Sequence, residues 1–221
     1  MEKTIDFLKK LKSNNNRDWF EANKEKYLAA REEYETLVDK VIKGVVKFDK
    51  QISPDMKGKD CTFRIYKDVR FSKDKTPYKI NMGASINPGG KKSLSAGYYL
   101  HLEPGGSFLA GGVYMPEPAM LNAIRQEIDY NAAPLLKILK SAAFKKYFKG
   151  FDDEGKLKTA PKGFEKDHPH LEMLKNKHFL VSYPISDKQL LAKNLHEIAT
   201  NGFKAMHPLL VYLRAANGNA S

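Results

Sequence analysis

Between residues 60 and 116 the chain alternates. Phe63, Ile65, Val69 and Phe71 interleave with Arg64, Tyr66, Asp68 and Arg70. Ile80, Met82, Ala84 and Ile86 interleave with Asn81, Gly83, Ser85 and Asn87. Tyr98, Leu100 and Leu102 interleave with Tyr99, His101 and Glu103, and a fourth run covers Phe108 to Met115. A period of two sends successive side chains to opposite faces of a strand, so each run predicts a strand with one apolar and one polar face. Lys67 is the one residue out of step on the first apolar face. Turns at Pro88-Gly89-Gly90-Lys91-Lys92 and Pro104-Gly105-Gly106 keep the connections short. They are too short for crossover helices, so the four runs predict an antiparallel meander.

Helical patterns flank the meander. Ile5, Leu8 and Leu11 predict a short helix over 4–12, broken by Asn14, Asn15 and Asn16. A long helix is expected from Arg17, with Phe20, Tyr27, Tyr34, Val41 and Phe48 on one stripe, bending or ending near Gly44. Pro116 and Pro118 open another, with Leu121, Ile124 and Ile128 inward. Asn131 is read as the N-cap of the helix after it. Residues 151–164 read as a loop or hairpin, and Phe179 to Tyr183 as a short strand. Ser186 and Gln189 form a capping box that starts a helix through Ile198, and Pro208 fits the first turn of a last helix. Helices, then strands, then helices predict an α+β fold: an antiparallel sheet of four or more strands flanked by helices. One domain is expected over 1–216, with a helical segment at 1–50, strands at 60–116, mostly helices at 117–216, and a frayed tail at 217–221.

No apolar run reaches the roughly 18 residues that a membrane helix needs. The first residues, MEKTIDFLKKLK, lack a signal-peptide core, and Cys61 is the single cysteine. Together these predict a reducing, cytoplasmic setting without disulfides or a cysteine metal site. The net charge of +12 suits polyanionic partners, but only six of the 38 basic side chains are arginine. Arginine recognises phosphate in a planar, two-pronged way, whereas lysine is a mobile point charge that also keeps surfaces wet.

Two of the six arginines, Arg64 and Arg70, fall on one face of the first run with Tyr66 and Asp68 between them. Asp68 can hold an arginine by a charge-assisted hydrogen bond. The following turn adds Ser72, Lys73, Lys75, Thr76 and Lys79. Hydroxyls, ammonium groups and turn amides are what an anion site requires. In a meander the polar faces share one side, which brings Tyr99, His101 and Glu103 to the same place. A histidine beside carboxylates is raw material for acid–base chemistry. Arg64, Tyr66, Arg70, Ser72, Lys73, Lys75, Lys79 and Tyr99 are therefore the candidate ligand-binding residues, and His101, Asp68 and Glu103 the candidate catalytic ones. No metal ligand is assigned, and His168-Pro169-His170 reads as a turn.

These segments also carry a family likeness. Asn14 to Phe20, Arg64 to Lys79, Gly97 to Gly105, Gly111 to Tyr114 and Pro161 to Phe164 closely resemble the family called domain of unknown function 2461. The resemblance spans nearly the whole chain and implies a cytoplasmic, bacterial-type domain. It implies no activity, substrate or cofactor.

The residues themselves favour a binding module for an anion, phosphate-bearing or nucleic acid, on the polar sheet face. An enzyme of hydrolase type using His101 is the alternative. A scaffold whose long amino-terminal helix docks a partner is the third.

Overall fold

A computed structural model describes residues 1–153 and 155–218. Helix α1 (Glu2–Ser13) buries Thr4, Ile5, Phe7, Leu8 and Leu11. Asn16 then caps α2 (Arg17–Ala22), its side chain accepting the Trp19 N–H. The long helix expected from Arg17 is interrupted at Asn23, and its main part is α3 (Lys24–Val45). Tyr27, Tyr34, Leu37, Val38, Val41 and Val45 are buried along α3 at helical spacing, so the stripe is spent on the chain's own core. The helix ends one residue after Gly44. A single turn, α4 (Gly58–Cys61), leads to the sheet.

The sheet has four strands in the order β1 (Met82–Ile86), β2 (Gly97–Leu102), β3 (Phe108–Val113) and β4 (Phe179–Pro184). Every neighbouring pair is antiparallel. Between β3 and β4 lie α5 (Pro118–Tyr130), α6 (Ala132–Lys140), α7 (Ala142–Lys145) and α8 (Leu171–Leu174). After β4 come α9 (Asp187–Leu190) and α10 (Leu195–Gly218). Helices α3 and α10 pack against each other, α3 against β1 and α10 against β2 and β3. Under them lie Ala84, Ile86, Tyr98, Leu100, Leu109 and Val181, all essentially sealed from solvent. Tyr34 in α3 donates its hydroxyl to the Leu100 carbonyl at 2.8 Å, which pins helix to sheet. The opposite face keeps Ser85, Tyr99, His101, Phe108 and Ser182 partly exposed.

The fold differs from expectation in several places. Residues 62–71 do not form a strand. Thr62 and Tyr66 make only isolated bridges, to Ala84 and Tyr78. Phe71 is 95% exposed while Ile65 is buried. A strand continued beside β1 from the Thr62–Ala84 pairing would turn Arg64, Asp68 and Arg70 toward the helix-covered apolar layer, where unpaired charges are costly. Instead the segment folds on itself as a hairpin. The Lys67 N–H reaches the Pro77 carbonyl at 2.9 Å, and the Lys79 N–H reaches that of Ile65 at 2.8 Å. Lys67 turns to Asp74 and Thr76. Tyr78 stacks on Phe20 at 4.0 Å and anchors the hairpin to α2. The fourth strand of the sheet is β4, the short run read at 179–183.

The last helices also differ. The Ser186–Gln189 capping box forms, but α9 stops at Leu190, and α10 runs unbroken through Pro208. Asn131 precedes α6 without a side-chain capping bond. Residues 217 and 218 belong to α10, and 219–221 of the expected tail lie outside the described residues. Among the described residues no helix is long and apolar enough to cross a membrane.

Candidate functional site

The hairpin leans over the partly exposed face of the sheet and leaves a cleft of about 420 Å³. Phe63, Arg64, Lys67 and Asp68 line it from one hairpin arm, Lys79 and Asn81 from the other arm and its exit, and Gly83 and Tyr99 form the floor on β1 and β2. Gly83 is required by that floor. A Cβ there would stand 2.4 Å from the Tyr99 hydroxyl, so only glycine lets the phenol lie across β1.

Arg64 and Lys79 are the cations left over in this cleft. Lys79 Nζ donates to the Arg64 carbonyl at 3.1 Å and lies 5.9 Å from the Phe63 ring centre. Burial, and then the Arg64 charge, lower the pKa of Lys79. Among the described residues the Arg64 guanidinium makes no hydrogen bond or ion pair, and Lys79 has no carboxylate partner. The two nearby acids are engaged elsewhere. Asp74 pairs with Lys67, whose hydrogen bond holds its carboxyl well below the usual range. Asp68 grips Arg70 with both oxygens, at 2.9 and 2.6 Å. That guanidinium, with the Arg70 backbone N–H, holds the Asp68 carboxyl at about 2. Four cations against two carboxylates leave the cleft and its rim positive.

Beside the cleft stands His101. Its Nδ1 faces the Asn81 amide nitrogen and the Tyr99 hydroxyl, each at 3.1 Å, and its Nε2 faces a Glu103 oxygen at 3.2 Å. The tautomer that suits these neighbours carries the proton on Nε2, donated to Glu103. Nδ1 then has a single in-plane lone pair for two donors, so Asn81 or Tyr99 keeps a donor to spare. Burial pushes the Tyr99 phenol up to about 12, so at neutral pH it holds its proton. The imidazole stacks on Phe108 with ring centres 4.5 Å apart.

The expected site residues thus separate into groups. Arg64, Lys79, Tyr99 and Asp68 line the cleft, and His101 and Glu103 are joined next to it. No hydrogen bond or ion pair links Asp68 to His101. Arg70, Ser72, Lys73 and Lys75 belong to the hairpin tip. There Lys75 Nζ donates to the Val69 carbonyl, and the Ser72 hydroxyl accepts the Asp74 N–H. Tyr66 points away, toward the Phe20 and Tyr78 rings. Phe63, Lys67 and Gly83 line the cleft without having been singled out. Lys67 did leave a signal, since it was the charged residue out of step with its strand pattern.

A family model described as conserved hypothetical protein (DUF2461) matches residues 3–212. The chain belongs to this family. No curated protein and no solved structure matches it. The family description carries no activity, so the chemistry open to this DUF2461 chain rests on the cleft. The cleft offers two cations without carboxylate partners and a spare neutral donor, and beside it stands a histidine bonded at both nitrogens. Among the described residues no three His, Cys, Asp or Glu side chains are placed to hold a metal ion.

Proposed function

We propose that the chain is a binding module for a phosphate-bearing anion, held between the hairpin and the sheet. The observation that carries this reading is that Arg64 and Lys79 share one cleft with no carboxylate bound to either. Two like charges side by side, one partly buried, raise the free energy of the empty site, and a bound anion relieves it. Arg64 supplies two-pronged recognition, Lys79 a point charge, and Asn81 or Tyr99 a neutral hydrogen bond. The phosphate can belong to a small molecule or to a nucleic-acid strand, since the recognising chemistry is shared. Calorimetric titration with inorganic pyrophosphate tests the reading. Saturable one-to-one binding is expected, weakened about tenfold or more by Arg64→Ala, in line with the loss of a charge-assisted hydrogen-bonded pair. Binding that ignores Arg64→Ala and Lys79→Met would overturn it.

A second reading, an enzyme of hydrolase type, is favoured by the His101–Glu103 hydrogen bond beside the cleft. A base oriented by a carboxylate is the usual arrangement for proton transfer. Here Asn81 and Tyr99 must release Nδ1 before the ring can take a proton there. Turnover of an aryl phosphate that is lost in His101→Gln, while pyrophosphate still binds, would favour this reading over simple binding.

A further inference from the structure

The same sheet face holds a second hollow, of about 520 Å³, walled by Gly106, Phe108, Ser182, Pro184 and Ile185. Strand register relates it to the first. Gly83, His101, Phe108 and Pro184 are successive partners across β1, β2, β3 and β4. Ser85, Tyr99, Ala110 and Ser182 form the adjacent row. Both rows lie on the face away from α3 and α10. The cationic cleft occupies the β1–β2 end, over Gly83 and Tyr99, and the second hollow the β3–β4 end, over Phe108, Ser182 and Pro184. With neighbouring strands about 4.8 Å apart, the two centres are separated by roughly 10 Å along the sheet. The stacked His101 and Phe108 rings lie between them.

The chemistry of the two ends differs. Among the described residues no charged side chain lines the second hollow. Its hydroxyls are already engaged: Ser107 with the Glu103 carbonyl at 2.7 Å, Ser182 with Asp152 at 3.0 Å, and Ser186 with Gln189 at 2.9 Å. What remains on offer is the apolar surface of the partly exposed Phe108 and the exposed Pro184, with Ile185 buried behind them. A shallow wall of rings and proline suits a planar group better than a flexible chain, which would lose more rotational freedom on binding.

We propose that the two hollows are halves of one groove and that the ligand is nucleotide-like. Its phosphate sits at Arg64 and Lys79, and its planar ring lies over Phe108 and Pro184. The inference rests on the anion-binding reading above and names the class of ligand for that site.

Titration of the full chain with inorganic pyrophosphate, adenosine diphosphate and adenosine tests it. The two phosphate compounds share their anionic end, so their difference isolates the ring. Adenosine diphosphate is expected to bind about tenfold more tightly than pyrophosphate, the scale of one base stacked on an aromatic side chain. Phe108→Leu keeps apolar volume but removes the aromatic face, and should erase most of that advantage while leaving pyrophosphate affinity unchanged. Pro184→Ala, at an exposed strand end, should reduce it in the same direction and serves if the Phe108 variant does not fold. Equal affinity for the two phosphate compounds overturns the bipartite groove and leaves the anion reading standing. An advantage that survives both variants does the same. Absence of any binding of pyrophosphate and adenosine diphosphate defeats both.

Discussion

Asp49 and Arg214 form a sealed ion pair between the end of α3 and α10. Arg214 Nη1 meets the two Asp49 oxygens at 3.1 and 2.8 Å, and the Tyr98 hydroxyl donates to the same carboxylate at 2.8 Å. Burial pushes the Asp49 carboxyl up, but His207, Arg214 and Tyr98 together outweigh it and hold the group well below its ordinary value. The unfolded chain therefore takes up the proton first. The contribution of Asp49 is present above about pH 4 and lost as the pH falls below that range. Asp49→Ala should cost about 3–5 kcal/mol at neutral pH, because it strands a buried guanidinium. It should also flatten the acid limb of stability, and urea unfolding at neutral and acid pH measures both. Asp68 is the contrasting case: its partner Arg70 is 76% exposed, so Asp68→Ala should leave the thermal midpoint unchanged. Lys79 governs binding in the opposite pH direction. Burial and Arg64 lower its pKa, so its charge is lost at a pH below the ordinary lysine value of about 10.4. Pyrophosphate affinity should hold at neutral pH and fall as the pH rises into that lowered range, and Lys79→Met should abolish the fall.

At the scale of elements, the contact of α3 with α10 depends on one small residue. A Cβ on Gly44 would lie 2.5 Å from the Thr200 Cγ2 atom. Replacing glycine by alanine within a helix normally gains about 1 kcal/mol. Here overpacking should reverse the sign, with Gly44→Ala costing about 1–3 kcal/mol. Thr200→Ala removes the clashing methyl, so the double variant should recover most of that loss. A cycle showing no coupling would mean that the helices separate freely. The hairpin over 65–79 is a weaker element, tied to the sheet through Thr62 and Phe63 and to α2 through Tyr78. The cleft is thus formed between a small unit and a rigid floor.

At the scale of the whole molecule, the +12 charge is spread over a surface rich in lysine, while Arg64 and Lys79 alone are unpaired in the cleft. If a single-stranded oligonucleotide engages the cleft, log affinity against log salt should have the slope of one or two phosphates, about −0.7 for each. Arg64→Ala should make it shallower by roughly one such step. A much steeper slope, unmoved by that variant, would assign oligonucleotide binding to the diffuse lysine coat. Fluorescence anisotropy at several salt concentrations separates these outcomes.

Part of the fold follows from local periodicity alone. The alternations at 80–87, 98–103 and 108–115 became β1, β2 and β3, because a period of two leaves a strand one apolar face to bury. The 3–4 spacing formed helix in α1 and α3 and the Ser186–Gln189 capping box formed, although the helix read from Arg17 broke at Asn23 and the capped helix stopped at Leu190. Tertiary structure decided the rest. The run from Thr62 to Phe71 alternates like the others, yet it folded as a hairpin, because continuing beside β1 from the Thr62–Ala84 pairing would have turned Arg64, Asp68 and Arg70 into the apolar layer. Pro208 marked a helix start locally, yet helical packing carried α10 through it. The polar face could be read from Tyr99, His101 and Glu103, but its pairing with Gly83 and Phe108 is a matter of register across separate strands. Arg64 met Lys79 only when the hairpin closed, whereas Asp68 met Arg70 two residues away, within reach of local structure. Periodicity assigns a residue to a face, whereas contact between faces depends on which burial costs the complete chain can avoid.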